Sequence, residues 1–175
     1  TQRQSGNTED SGLLMTEARR ILLDFEQHDP FKRDAQVNLF RTAVVLMQWG
    51  DPSYTQEVQD RASKIVDLYP TYPSMIAALS TDMTAIGQHA LAIEFADKAI
   101  ATEDRTQPWS NAWYARGRAL YELYRTDEAI VDLQTATQKE PGSPGSLLSH
   151  TLLAEIYAER GQTNLSEIHK TAGEG

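Results

Sequence analysis

An all-α fold of antiparallel helix pairs, about nine helices in all, is what this sequence predicts, and three observations carry it. Every periodic segment repeats at 3.6 residues, and none alternates over a useful length. Small residues stand where two helices must approach closely, Gly117 and Ala129 in one stretch and Gly87, Ala92, Ala96 and Ala99 in the stretch before it. The third observation is self-similarity: stretches starting at Pro73, at Ser110 and near Leu147 share this spacing, each interval being 34 residues plus three.

Taken in order, residues 1–12 are polar and rich in Ser, Gly, Asn and Thr, which predicts a disordered linker. They hold no apolar signal-peptide core. The chain starts at Thr1 instead of Met, which suggests a fragment of a longer protein or processing. A helix over 13–29, from Thr16-Glu17-Ala18 towards Pro30, is expected to cover the end of the array, with Phe25 where a small residue would suit better. The next helix, about Asp34 to Gln48, has Val37, Phe40, Val44 and Met47 on one face. The turn Trp49-Gly50-Asp51-Pro52-Ser53 ends it, and Thr55 is expected to cap a helix carrying Val58, Ala62 and Ile65 and closed by Pro70.

The repeats then become clear. From Ser110, Trp113, Gly117, Ala129, Ala136 and Pro141 fall at positions 4, 8, 20, 27 and 32, with Pro141 stopping the second helix. Thr126 is expected as its N-cap, with Asp127 and Glu128 in the first turn. Upstream, Leu79, Ser80, Gly87, Ala92, Ala96 and Ala99 take equivalent places in a unit from Pro73 to Thr106, which has Asp104 where the proline would stand and a connection lengthened by Gln107-Pro108-Trp109. Downstream, after an extra Pro144-Gly145-Ser146, come Leu153, Ala154, Tyr157 and Gly161, then a short helix ending in Thr171-Ala172-Gly173-Glu174-Gly175.

The Ser110–Ser143 stretch resembles a tetratricopeptide repeat (TPR) almost from end to end. The resemblance covers most of 13–171, strongly over 73–160 and loosely before Pro70, where Val58 and Ile65 are larger than the family pattern prefers. It implies a right-handed superhelix in a single domain over 13–175, with units of about 34–72, 73–106, 110–143 and 147–172 and the helix 13–29 at its end.

Composition bounds the function. A net charge of −9 argues against nucleic acid as a partner, because phosphate contact needs clustered Lys and Arg. The acidic runs Asp24-Phe25-Glu26-Gln27-His28-Asp29 and Glu103-Asp104 read as solvated faces. No apolar run approaches the roughly 20 residues that span a bilayer, so no membrane insertion by this chain is expected. Without cysteine there are no disulfides or thiolate metal sites. His28, His89, His150 and His169 lack metal-ligand spacing, and no phosphate loop, dinucleotide fingerprint or nucleophile elbow occurs. Pro141-Gly142-Ser143-Pro144-Gly145 reads as turn chemistry. Catalytic residues, metal and cofactors are accordingly expected to be none, and the chain is read as not an enzyme.

What remains is surface recognition. In TPR proteins positions 2, 5, 9, 12 and 13 of each unit tend to face a bound peptide. The resemblance therefore implies a site of Asn111, Tyr114, Arg118, Tyr121 and Glu122 in the strongest unit, with Thr81 in the unit before it and Thr151 and Glu155 in the unit after it. The family's clamp for an acidic C-terminus needs Lys and Asn at positions 5 and 9. Those places hold Ala43 and Met47, Ala77 and Thr81, Tyr114 and Arg118, and Thr151 and Glu155, so the clamp is absent. Tyr114 and Tyr121 can instead be packing, with Arg118 paired to Glu122 one turn on. Arg116 stands where the family has Leu, and its stem is expected to cover apolar surface with its head in solvent. The functional expectation is a non-catalytic protein–protein interaction module that binds a peptide or helix of a protein partner. The alternative is an accessory domain of a larger membrane protein or enzyme, such as a bacterial surface-polysaccharide polymerase or ligase.

Overall fold

A computed structural model describes residues 2–49, 51–102 and 109–174, with only the backbone course given for 2–12. Among the described residues there are nine helices and no strand: α1 Gln2–His28, α2 Arg33–Gln48, α3 Tyr54–Leu68, α4 Pro73–Ala85, α5 His89–Ile100, α6 Ser110–Glu122, α7 Thr126–Lys139, α8 Pro144–Glu159 and α9 Thr163–Gly173. None is long and apolar enough to cross a membrane. Glu103-Asp104 and Gln107-Pro108 lie outside the described residues. The chain divides into two compact units, Thr1–Tyr69 and Pro70–Gly175.

In the first unit α2 packs on both α1 and α3. Leu39, Phe40 and Ala43 of α2 meet Val58, Ala62 and Ile65 of α3 in a core that excludes water completely. Val58 and Ile65, too large for the family pattern, are the residues that fill it. Charge ties α1 to α3. Glu26 accepts hydrogen bonds from Lys64 Nζ at 2.7 Å, Gln36 Nε2 at 2.9 Å and the Arg61 guanidinium at 3.2 Å, and Glu57 receives Arg61 Nε at 2.6 Å and Arg19. Burial pushes the Glu26 carboxyl up, but the hydrogen bonds from Lys64 and Gln36 and the charges of Arg61 and Lys64 outweigh it and bring it down to about 2.

Three boundaries differ from the sequence reading. The helix expected over 13–29 begins at Gln2 and takes in the stretch read as a linker, which holds no proline to stop it. The α3 helix starts at Tyr54 with Ser53 at its cap position; Asp51 Oδ1, accepting from the Ser53 amide at 3.0 Å, shapes that turn in place of Thr55. Thr126 is the first helical residue of α7, not its cap, and Arg125 before it pairs with Glu128 at 2.7 Å.

In the second unit the helices pack as successive pairs, α4 with α5, α6 with α7 and α8 with α9, and α6 also meets α4, α5 and α8. Ala92, Ala96, Ala99, Ala129 and Ala136 are all fully buried. Gly117 shows why the contact tolerates nothing larger: a Cβ there would stand 2.9 Å from Leu133 Cγ and 3.3 Å from the Ala129 carbonyl oxygen. The supposed insertion Pro144-Gly145-Ser146 is the first turn of α8. Ser143 caps it, accepting from the Ser146 amide at 3.2 Å, and Pro144 stands at the first position, where its missing N–H costs nothing. Gly145 lets this turn meet the start of α6, since a Cβ there would lie 2.6 Å from the Asn111 nitrogen. The neighbouring Ser110 hydroxyl donates to Glu140 at 2.6 Å, which fixes the same junction.

Candidate functional site

The helix spacing of the second unit brings one face of α6 beside one face of α8, and between them lies a groove of about 260 Å³. It is lined by Tyr114, Arg118, Tyr121 and Glu122 of α6 and by Leu148, Thr151, Leu152 and Glu155 of α8. Six of the eight residues proposed from the sequence are thus brought together. Asn111 is set apart at the junction with Gly145, and Thr81 is half-buried with its hydroxyl donating to the Ala77 carbonyl of its own helix at 3.2 Å. Leu152 was missed, although it sits one turn beyond Leu148 on the same helix face.

Each groove residue is held by a definite partner or packing layer. Tyr114 is only 6% exposed and belongs to the core with Leu133, Ala136, Leu153, Ile156 and Tyr157, so its ring is the floor of the groove. Its hydroxyl receives Arg118 Nη1 at 3.2 Å, and no Arg118–Glu122 hydrogen bond forms. Tyr121 leans on the same core and donates its hydroxyl to both Glu159 carboxylate oxygens at 2.9 Å. That hydrogen bond, with burial and the charges of Glu159, Glu155 and Glu122, pushes the Tyr121 phenol up to about 12. A second hollow, lined in part by Ala154, Ala158, Ser166, Lys170 and Glu174, shares Thr151 and Glu155 with the first.

Arg116 departs from its expected place in solvent. Its Nε and Nη2 grip Asp132 at 2.7 and 2.8 Å, Nη1 holds Asp97 at 2.6 Å, and the guanidinium lies 4.7 Å over the Trp113 ring. Asp132 is 6% exposed on its side chain, so a leucine in place of Arg116 would strand a buried carboxylate. The family's apolar position is here an ion-pair clamp joining α5, α6 and α7.

His150 of α8 and His169 of α9 meet through their Nδ1 atoms at 2.8 Å, one donating and one accepting, and Tyr157 stacks on His169 with ring centres 5.4 Å apart. Among the described residues no group of three His, Cys, Asp or Glu side chains is placed to hold a metal ion.

The architecture is that of the tetratricopeptide-repeat fold. Solved structures show the likeness over nearly the whole chain. A crystal structure of MamA is 19% identical, with a TM-score of 0.66 over 96% of this chain and 91% of that one. The 41-end fragment of MamA from Desulfovibrio magneticus RS-1 is 17% identical, with a TM-score of 0.68 over 91% and 84%. YrrB, described as a TPR protein with an unusual peptide-binding site, is 16% identical, with a TM-score of 0.61 over 95% and 80%. At these identities the shared property is the fold. No family model matches the sequence, and no curated protein is similar to it.

Proposed function

We propose that this protein is a non-catalytic protein–protein interaction module that receives a peptide or helix of its partner in the α6–α8 groove. The observation that carries the reading is the groove itself. Side chains from two helices converge on a concave strip with a buried aromatic floor, apolar walls at the exposed Leu148 and the half-buried Leu152, and polar groups at its rim. Recognition sites for peptide segments combine these parts, with pockets for alternate side chains and polar groups that fix orientation. The fold shared with YrrB, a protein with a peptide-binding site, agrees with it. No feature of the groove favours the accessory-domain alternative.

Selection of a displayed random-peptide library on the purified protein tests this reading. Selected peptides should lose about tenfold or more in affinity against Leu148→Asp, whose side chain is 47% exposed and can change without opening the core. Peptides that bind a folded Leu148→Asp variant as well as the wild type would place recognition elsewhere.

A further inference from the structure

We propose that the occupant of the α6–α8 groove is a basic segment anchored by one large apolar side chain. The proposal rests on the groove being the binding site and adds the chemistry of what enters it.

The charge balance of the groove carries the argument. Arg118 is its only cation among the lining residues, and the Tyr114 hydroxyl already occupies one of its donors. Glu122 and Glu155 lie close enough to act on the Arg118 charge, and Glu159 stands at the rim on the Tyr121 hydroxyl. Two carboxylates therefore flank the one guanidinium, and a third stands at the rim. Neither Glu122 nor Glu155 makes a salt bridge or hydrogen bond to a described residue. An acidic ligand would meet Arg118 only by displacing its flanking charges and would itself face all three carboxylates. A lysine- or arginine-bearing ligand meets two carboxylates whose hydrogen-bonding capacity is unused. The net charge of −9 adds a long-range field of the same sign.

The apolar requirement comes from the walls. Leu148 and Leu152 stand one helical turn apart on α8 and line the groove together with Tyr121 of α6. A volume of about 260 Å³ falls short of the roughly 300–1,000 Å³ of a typical small-molecule site, so it takes one anchoring side chain of a longer ligand. Glu155 also lines the hollow towards α9, together with Lys170 and Glu174.

The test uses three fluorescein-labelled peptides with the same Leu-Phe core, flanked on both sides by lysines, by glutamines or by glutamates. Fluorescence polarisation reads their affinities at low and at physiological salt. The lysine-flanked peptide should bind about tenfold or more tighter than the glutamine-flanked one, and the margin should shrink as salt rises. The doubly substituted Glu122→Gln, Glu155→Gln protein should lose that margin, so that the lysine- and glutamine-flanked peptides bind it with similar affinity. Equal affinities for the three, tighter binding of the glutamate-flanked peptide, or a lysine preference that survives the double substitution would overturn the basic-ligand inference and leave the groove standing as a binding site. Binding of none of the three to folded protein would overturn the groove reading and the inference together.

Discussion

The two units of this chain bury similar apolar helices but join them by different means. In Thr1–Tyr69 the helices keep bulky residues at their contacts, with Val58 and Ile65 fully buried, and a network of Glu26, Arg61, Lys64, Glu57 and Arg19 ties α1 to α3. In Pro70–Gly175 alanine and glycine stand at the closest helix contacts, beside large side chains such as Phe95 and Leu133, and Gly117 shows that backbone and side chain there are already touching. Charge joins helices there too, through Arg116 with Asp97 and the buried Asp132 and through Arg160 with Asp127 at the surface. Close approach dictates residue type at fixed places, so it leaves a register in the sequence. An ion-pair network between helices leaves none, because each charge by itself looks like solvated surface.

The largest effect should come from violating the small-residue contacts. Ala129 is fully buried against α6, and Ala129→Leu forces three further carbons into a space without room for them. A loss of about 3 kcal/mol is expected, seen as a lower denaturant midpoint at unchanged slope. An unchanged midpoint would contradict the close approach of α6 and α7.

The mirror experiment belongs to the first unit. Val58→Ala restores the small residue that the repeat pattern prefers, yet Val58 fills the contact it occupies. It should destabilise by about 2 kcal/mol, because two methyl groups are lost and a cavity remains. A neutral or stabilising result would mean that both units pack alike and the comparison fails.

Glu26 sharpens the same contrast through pH. Its carboxyl titrates at about 2 in the folded protein against an ordinary 4.5, so the folded state holds the charged form more tightly than the unfolded chain does. Stability from this group is present above about pH 4.5 and is lost as the pH falls towards about 2. Glu26→Gln should cost roughly 1–2 kcal/mol at neutral pH, less than the full shift implies because the site is partly open to solvent. The gap between variant and wild type should close in acid, and hydrogen exchange should locate the loss in α1 and α3. A gap independent of pH would assign the effect to shape instead of charge.

How much of this was legible in the sequence follows from the same physics. Gly117, Ala129, Ala136 and Pro141 each have one packing or stopping reason, and together they gave the register of α6 and α7. The α8 start was displaced because fitting Leu153, Ala154, Tyr157 and Gly161 to the repeat set the unit at Leu147 and outweighed Ser143-Pro144, a cap followed by a first-turn proline. The TPR resemblance named most of the groove, since positions one helical turn apart share a face wherever a helix forms. Its charge could not be read, because Glu159 reaches Tyr121 across 38 residues and Arg118 turns to Tyr114 instead of Glu122. Arg116 was misplaced for a related reason: Asp97 and Asp132 are 19 and 16 residues away, and only the fold brings them to it.

The smallest effect concerns the end of the second unit. No residue of α9 is fully buried, and the His150–His169 hydrogen bond, worth about 1 kcal/mol, helps hold that helix beside its packing on α8 and the Ser166–Ala154 hydrogen bond. Burial pushes both imidazoles below their ordinary value of 6.5, and the charge of His150 adds to the effect on His169. The unfolded chain therefore takes up protons more readily than the folded one as the pH drops below 6.5. The contribution is present above that value and is lost in acid. A doubly protonated pair also cannot keep an Nδ1–Nδ1 contact of 2.8 Å, because neither ring then offers an acceptor at that atom. Hydrogen exchange of α9, corrected for the intrinsic pH dependence of amide exchange, should show protection falling between pH 7.5 and pH 5 in the wild type. In His169→Gln, α9 should start from slightly lower protection and change little over the same range, while α6 and α7 stay protected in both proteins. Wild-type protection that is flat with pH would mean that α9 is held by its packing on α8 alone.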